Sequence, residues 1–163
     1  MQNILLTGGL GYIGSVLTGF LLDEGYKVTI LDNNLYKVNS IANFCFDDNL
    51  ITVQGDVRDK SLISDLLRKN DIIIPLAALV GAPSCNNDPQ AASSVNKDSV
   101  GWLLKQKSKS QIIIMPTTNS AYGTGNDNNF CDETSNLSPI SLYDLVGVRL
   151  SLGLFPYSAE FSP

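Results

Sequence analysis

The sequence predicts an α/β protein, a parallel β-sheet with helices on its faces, regular to about residue 143 and incomplete or rearranged over 144–163. Three observations predict it. Short apolar runs alternate with segments of helical spacing. The runs, such as Ile4-Leu5-Leu6 and Ile72-Ile73-Ile74, are almost wholly apolar, as strands covered on both faces require. The first run stops at Thr7-Gly8-Gly9, and glycines recur at Gly11 and Gly14 as a helical segment opens.

Each element follows from its residues. Ile4 to Leu6 reads as a buried strand. Tyr12 to Glu24 carries Ile13, Val16, Leu17, Phe20 and Leu21 at helical spacing, so a helix is expected with these residues on its apolar face. Gly25 ends it, because glycine takes up a left-handed cap cheaply. Val28 to Leu31 is the second strand, with Asp32 at its end, and strand, helix and strand make one right-handed βαβ unit. Lys37 to Asn49 reads as a weak helix followed by a loop. Leu50 to Val53 is a third strand leading into Gly55-Asp56-Val57-Arg58-Asp59, and Ser61 to Arg68 a helix capped by Asp59. Ile72 to Leu76 is a fourth strand, Leu79 to Asn87 a loop, and Asp88 to Lys107 a long helix with a basic last turn. Ile112 to Met115 is a fifth strand, closed by Pro116. From Pro116 to Leu142 the chain is rich in Asn, Asp, Ser, Thr and Gly and reads as loop. No repeat or linker is visible, so a single domain is expected over 1–163.

Composition narrows the functions. With 163 residues, 44% of them apolar, the chain can bury one proper core. Its net charge is -5, from 11 basic and 16 acidic residues, which argues against nucleic acid as the main partner. No apolar stretch is long enough to span a membrane, and the N-terminus lacks the pattern of a signal peptide. Cys45, Cys85 and Cys131 are widely spaced and form no metal pattern, so they read as ordinary thiols of a reducing, cytoplasmic compartment. There is no histidine, which excludes His-based triads and His-containing zinc sites. Trp102 and Phe44 read as core residues, and Cys85 has no basic neighbour in sequence that would make it a nucleophile.

The glycine-rich turn carries the chemistry. Gly8 permits a tight turn, Gly11 lets the main chain approach a pyrophosphate, and Gly14 lets the helix pack on the sheet. Free N–H groups at the helix start then face the phosphate charge. This is a Rossmann-type dinucleotide-binding unit. Asp32, 18 residues beyond Gly14, stands where a carboxylate accepts hydrogen bonds from the adenosine ribose and would repel a 2′-phosphate, which favours NAD over NADP. Alternatively Asp32 caps a turn with Asn33 and Asn34. Asp56 either accepts from an adenine amino group or is a solvent-facing turn residue.

The run Thr7-Gly8-Gly9-Leu10-Gly11-Tyr12-Ile13-Gly14-Ser15 resembles the fingerprint of the extended short-chain dehydrogenase/reductase family, in particular its NAD-dependent nucleotide-sugar epimerases and dehydratases. Further similar segments follow in order: Asp32-Asn33, Gly55 to Asp59, Leu76-Ala77-Ala78, Thr117 to Gly123, Glu133, and Ser138 to Tyr143. The resemblance implies NAD as cofactor and a nucleotide sugar as substrate. It implies that Gly8, Gly11, Tyr12, Ile13 and Gly14 hold the pyrophosphate, and that Asp32 with Asn33 holds the ribose. It places Asp56 and Val57 by the adenine, and lines the cofactor channel with Leu76, Ala77 and Ala78. Thr118 and Tyr143, 25 residues apart, are then the catalytic pair, and Tyr122 packs near the nicotinamide end.

The chemistry explains the tyrosine. A base must take a proton from a sugar hydroxyl while hydride leaves for NAD, and a free phenol titrates near 10, too high for the task without a nearby positive charge. In this family a lysine four residues after the tyrosine supplies that charge and also holds the nicotinamide ribose. Here the position is Gly147, and Asp144 beside Tyr143 pushes the phenol the other way. Gly147, Gly153 and Pro156 also break the helix expected after Tyr143. That helix belongs to the surface through which family members commonly form homodimers. A substrate domain is expected to be absent, and the chain alone to be inactive or strongly impaired. The alternative reading is a catalytically inactive NAD-binding fragment or vestigial paralogue.

Overall fold

The computed structural model describes residues 1–116 together with Tyr122, Gly123, Ser135, Asn136 and Ser138. The chain divides into two compact units, Met1–Ala78 with Asp98–Pro116, and Leu79–Lys97 with Thr117–Pro163.

The first unit holds the sheet. Strands β1 (Asn3–Thr7), β2 (Lys27–Asp32), β3 (Leu50–Gln54), β4 (Ile72–Pro75) and β5 (Ile112–Ile113) are ordered β3-β2-β1-β4-β5, and every pairing is parallel. The chain winds outward from β1 through β2 to β3, then crosses back to β4 on the other side of β1. The change of direction lies between β1 and β4, where open α/β sheets leave a crevice at the carboxyl ends of their strands. Helix α1 (Tyr12–Asp23) links β1 to β2, and α2 (Lys60–Leu67) links β3 to β4.

The two sheet faces carry separate cores. On one, Ile4, Leu6, Val28, Ile30, Ile72 and Ile74 pack with Leu22, and Leu17, Leu21 and Phe44 lie against them. On the other, Leu5, Leu31 and Ile73 pack with Ile63, Leu66, Leu67 and Leu103, and Trp102 lies against them. The alternation Ile4/Leu5/Leu6 across the faces is the two-residue period of a strand. Phe44 and Trp102, read from the sequence as core residues, are half-buried and pack against these cores.

Boundaries match the sequence reading within a residue or two for β1 to β4, α1 and α2. Asp59 caps α2 as expected: its Oδ1 accepts from the N–H groups of Ser61 and Leu62 at 3.0 and 3.1 Å. Gly25, at φ +80, closes α1. Three expectations are corrected. The helix sought in Lys37 to Asn49 is a single 3-10 turn, Ala42–Phe44; of its large apolar residues only Ile41 and Phe44 reach the core, and Val38 and Phe46 are exposed. The fifth strand is two residues long, Ile112–Ile113. In α1 the residues expected to face the core do not all do so: Gly14, Thr18, Gly19 and Leu22 are buried, whereas Ile13, Val16 and Phe20 are exposed.

In the second unit, Leu79 to Asn87, read as a loop, contains α3 (Ala82–Asn87), with Pro83 in its first turn where a missing N–H costs nothing. Asp88 accepts from Ala91 N–H at 2.9 Å and caps α4 (Pro89–Ala92). The expected long helix is there in pieces. After α4 the chain is π-helical over Ser93–Asp98, and α5 (Ser99–Gln106) belongs to the first unit. A π-turn in mid-helix shifts the side-chain register, which is why the periodicity of this stretch is poor in the sequence.

Candidate functional site: a glycine cradle at the sheet's carboxyl edge

The site is built where β1 ends. Thr7 O accepts from Leu76 N–H at 3.0 Å and its hydroxyl from Ala77 N–H at 3.3 Å, which draws the end of β4 against the turn. Gly8 follows with φ +72, and its N–H donates to Leu31 O at 2.8 Å. A Cβ on Gly8 would lie 2.6 Å from Ala77 N and 2.8 Å from Leu76 C. A side chain is excluded there twice over, by backbone strain and by contact. Gly14 is excluded by contact alone, since its Cβ would lie 2.5 Å from Gly8 O and 2.6 Å from Gly9 Cα. The helix therefore starts in van der Waals contact with the turn that launches it.

That start is open to a ligand. Gly11 is the N-cap of α1 and offers no side chain to close it. Helix geometry leaves the first-turn N–H groups of Tyr12, Ile13 and Gly14 without intrahelical acceptors. The same N-terminus carries the positive end of the helix dipole, so the cradle is complementary to an anion. Tyr12 and Ile13 are exposed beside it.

Asp32, at the end of β2, is joined to this turn. Its Oδ2 accepts from Leu10 N–H at 3.0 Å, and its Oδ1 from Asn34 N–H at 2.7 Å. The turn-capping contact weighed from the sequence is therefore present, made by Asn34, whereas the Asn33 side chain accepts from Leu35 N–H. A carboxylate has about four acceptor sites, so two remain on Asp32 for hydroxyl donors. One strand further out, Gly55 N–H donates to Asp32 O at 3.0 Å and holds the Gly55–Asp59 turn beside β2. There Asp56 is paired with Arg58, and the hydrogen-bonded guanidinium holds the Asp56 carboxyl below the usual carboxylate range. Sequence reading did not find that pairing, although two residues of turn spacing are its only signal.

The first unit thus brings Gly8, Gly11, Tyr12, Ile13, Gly14, Asp32, Asn33, Asp56, Val57, Leu76, Ala77 and Ala78 to the carboxyl ends of β1 to β4. A polar cavity of about 370 Å³, lined by Ser64, Arg68, Asp71 and Gln111 among others, sits at the opposite ends of β4 and β5, where these strands begin. It has no part in the cradle. Thr118 and Tyr143, and Gly147 with them, lie outside the described residues.

In the second unit the structure adds a residue that the sequence reading did not single out. Buried Asn96 clamps the Leu79 backbone, accepting from its N–H at 2.8 Å and donating to its carbonyl at 2.9 Å. The fully buried Cys85 thiol donates to the same carbonyl at 3.4 Å, and burial pushes the thiol's pKa up. Raised and enclosed, it is a packing group and a poor nucleophile. Among the described residues no helix is long and apolar enough to cross a membrane.

Comparison with known proteins agrees with this geometry. Residues 4–150 match the model of the NAD dependent epimerase/dehydratase family. The chain is 30% identical over 125 residues to a UDP-N-acetyl-alpha-D-glucosaminuronate decarboxylase of Bacillus cytotoxicus, covering 76% of this chain and 39% of that one. It is 31% identical over 135 residues to the CDP-paratose 2-epimerase of Salmonella typhi, covering 75% of this chain and 38% of that one. The solved structure of Pal from Bacillus thuringiensis superposes with a TM-score of 0.87 at 27% identity, over 98% of this chain and 52% of that one. The matched region spans well under half the length of these curated relatives. The chain belongs to the NAD dependent epimerase/dehydratase family.

Proposed function

We propose that the chain binds NAD, seating its adenosine and pyrophosphate half on the Gly8–Gly14 cradle, and that it is the cofactor-binding part of a nucleotide-sugar epimerase or dehydratase. The observation that carries this reading is the pair of excluded Cβ positions at Gly8 and Gly14 in front of an uncapped helix N-terminus. Main-chain N–H groups at Tyr12, Ile13 and Gly14 bind the phosphates, while Gly8 and Gly11, without side chains, let the pyrophosphate approach the main chain. The two open acceptor sites of Asp32, with Asn33 beside it, take the ribose hydroxyls, and the same carboxylate repels a 2′-phosphate. Asp56 and Val57 meet the adenine, and Leu76, Ala77 and Ala78 line the path toward the nicotinamide. Relatives named for UDP- and CDP-linked sugars support a nucleotide sugar as the substrate class.

Bound NAD would supply the hydride acceptor that oxidises one sugar carbon and later returns the hydride. In that reaction Thr118 orients the sugar hydroxyl and Tyr143 removes its proton. A second reading concerns this chain alone: it binds NAD without catalysing. Gly147, where the family has its lysine, favours it, because Tyr143 then has no cation four residues on and has Asp144 as its neighbour.

Loss of the lysine's charge-assisted hydrogen bonds to the nicotinamide ribose should remove about 1.5–3 kcal/mol of binding, about 10- to 150-fold in affinity. Calorimetry should therefore give comparable affinities for NAD and AMP, and no nucleotide sugar should be turned over by the chain or by its Gly147→Lys variant. Absence of any NAD binding refutes the cofactor reading, NAD binding far tighter than AMP refutes the loose nicotinamide end, and turnover refutes the inactivity.

A further inference from the structure

The Asp56 carboxylate is almost fully subscribed. Its Oδ1 accepts from the Arg58 main-chain N–H at 2.8 Å and from Arg58 Nε at 2.9 Å, and its Oδ2 accepts from the second arm of the same guanidinium at 2.6 Å. Of about four acceptor sites, three are taken, and the one left is on Oδ2. A two-pronged guanidinium contact fixes the plane of a carboxylate, which a single hydrogen bond does not. The turn beneath is fixed as well: Gly55 N–H is held by Asp32 O, Asp59 N–H by Asp56 O, and Asp59 caps α2. About a third of the Asp56 side chain is exposed (32%), so a ligand arriving at the strand ends can reach it. Asp32 pairs with Gln54 in the sheet, two residues before Asp56, so a nucleoside lying across these strand ends meets both acids.

We propose that Arg58 is a positioning residue for base selection: it turns the Asp56 carboxylate so that its one open Oδ2 site accepts from an exocyclic amino group, which selects adenine against a 6-oxo purine. The proposal rests on the NAD reading above. An acceptor-only carboxylate held in one orientation rewards an amino donor and faces a carbonyl oxygen with repulsion. Released from the guanidinium, the same carboxylate can rotate or take up water, and the distinction weakens.

The experiment compares NAD with nicotinamide hypoxanthine dinucleotide, in which a carbonyl replaces the adenine amino group and N1 carries a hydrogen. Affinities are measured by calorimetry on the whole chain and on Arg58→Ala and Arg58→Lys, with thermal melts to establish folding. The unsubstituted chain should favour NAD by about tenfold or more. In Arg58→Ala the ratio should fall to within about threefold, and both dinucleotides should still bind through the cradle. Arg58→Lys keeps the charge but not the fork, so its ratio should also fall, by at least about threefold. If Arg58→Ala does not fold, Arg58→Lys decides alone. Variants that weaken both ligands equally and keep the ratio overturn the proposal while leaving the NAD reading intact, because a purely structural role predicts that result. An unsubstituted chain that binds both dinucleotides equally also overturns it. A chain that binds neither overturns both readings.

Discussion

Helices α1 and α2 lie in opposite cores of one sheet and reach their places by opposite means. Helix α2 presents Ile63, Leu66 and Leu67, spaced i, i+3, i+4, and buries all three. Helix α1 buries Gly14, Thr18, Gly19 and Leu22, and turns Ile13, Val16 and Phe20 outward. The difference comes from their entries. α2 follows a capped turn that leaves it free to rotate its apolar face inward. α1 begins four residues after Gly8, and the chain reverses so tightly that Gly14 touches Gly8 and Gly9. The face that meets the sheet must then be the face of Gly14, one and two turns on Thr18 and Leu22. Small residues follow from close approach: the Thr18 hydroxyl is satisfied on Gly14 O at 2.8 Å, and the Phe44 ring lies where a side chain on Gly19 would be, 2.8 Å from its Cβ position. The glycine turn thus sets the phase of α1, and hydrophobicity sets the phase of α2.

The contrast is sharpest at Ile63, which is 1% exposed. Ile63→Ala should cost about 2–5 kcal/mol, through lost burial and the cavity left behind. Urea denaturation followed by circular dichroism measures it, and a cost below about 1 kcal/mol would show that α2 does not hold its place by large side chains. On α1 the damaging change is an addition. Gly14→Ala puts a methyl group against the Gly8 carbonyl, which should cost roughly 1–3 kcal/mol, partly offset by alanine's better helix propensity, up to about 1 kcal/mol. Its signature is a disproportionate loss of NAD affinity, because the turn that must move is the cradle itself. A variant that keeps full NAD affinity would separate the cradle from the phase of the helix.

The same contrast explains what could be read in the sequence. The apolar runs of β1 to β4, the cap at Asp59 and the glycine spacing are local signals, and the elements they predict stand where expected. The cradle was legible for the same reason, since the positive φ of Gly8 and the contact of Gly14 with Gly8 and Gly9 are set within one turn. The burial of α1 was not, because periodicity reports that an apolar stripe exists and is silent on a constraint imposed from its first turn. The Asn96 clamp on Leu79 joins residues 17 apart through backbone atoms that carry no sequence signal. Likewise α3 was missed because Ala82-Pro83-Ser84-Cys85-Asn86-Asn87 has turn composition, and its proline, which reads as a breaker, sits in the first turn where a helix tolerates it.

The smallest expected effect tests the outward face of α1. Phe20 is 66% exposed, and Val16 and Tyr12, one and two turns before it, are exposed with it. Burying only a minor part of its surface, Phe20 contributes little to folding, and glutamine forms helix slightly better than phenylalanine. Phe20→Gln should therefore change stability by no more than about 0.5 kcal/mol in either direction, while lowering the fluorescence of a bound hydrophobic dye. Leu22→Gln is its internal control: two residues along the same helix but 7% exposed, it places an amide in the core, which should cost about 2 kcal/mol or more. Equal costs at the two positions would mean that the stripe of α1 is covered in solution, and the phase argument for this helix would fall with that result. A large cost at Leu22 with none at Phe20 leaves the cradle as the cause of which way the helix faces.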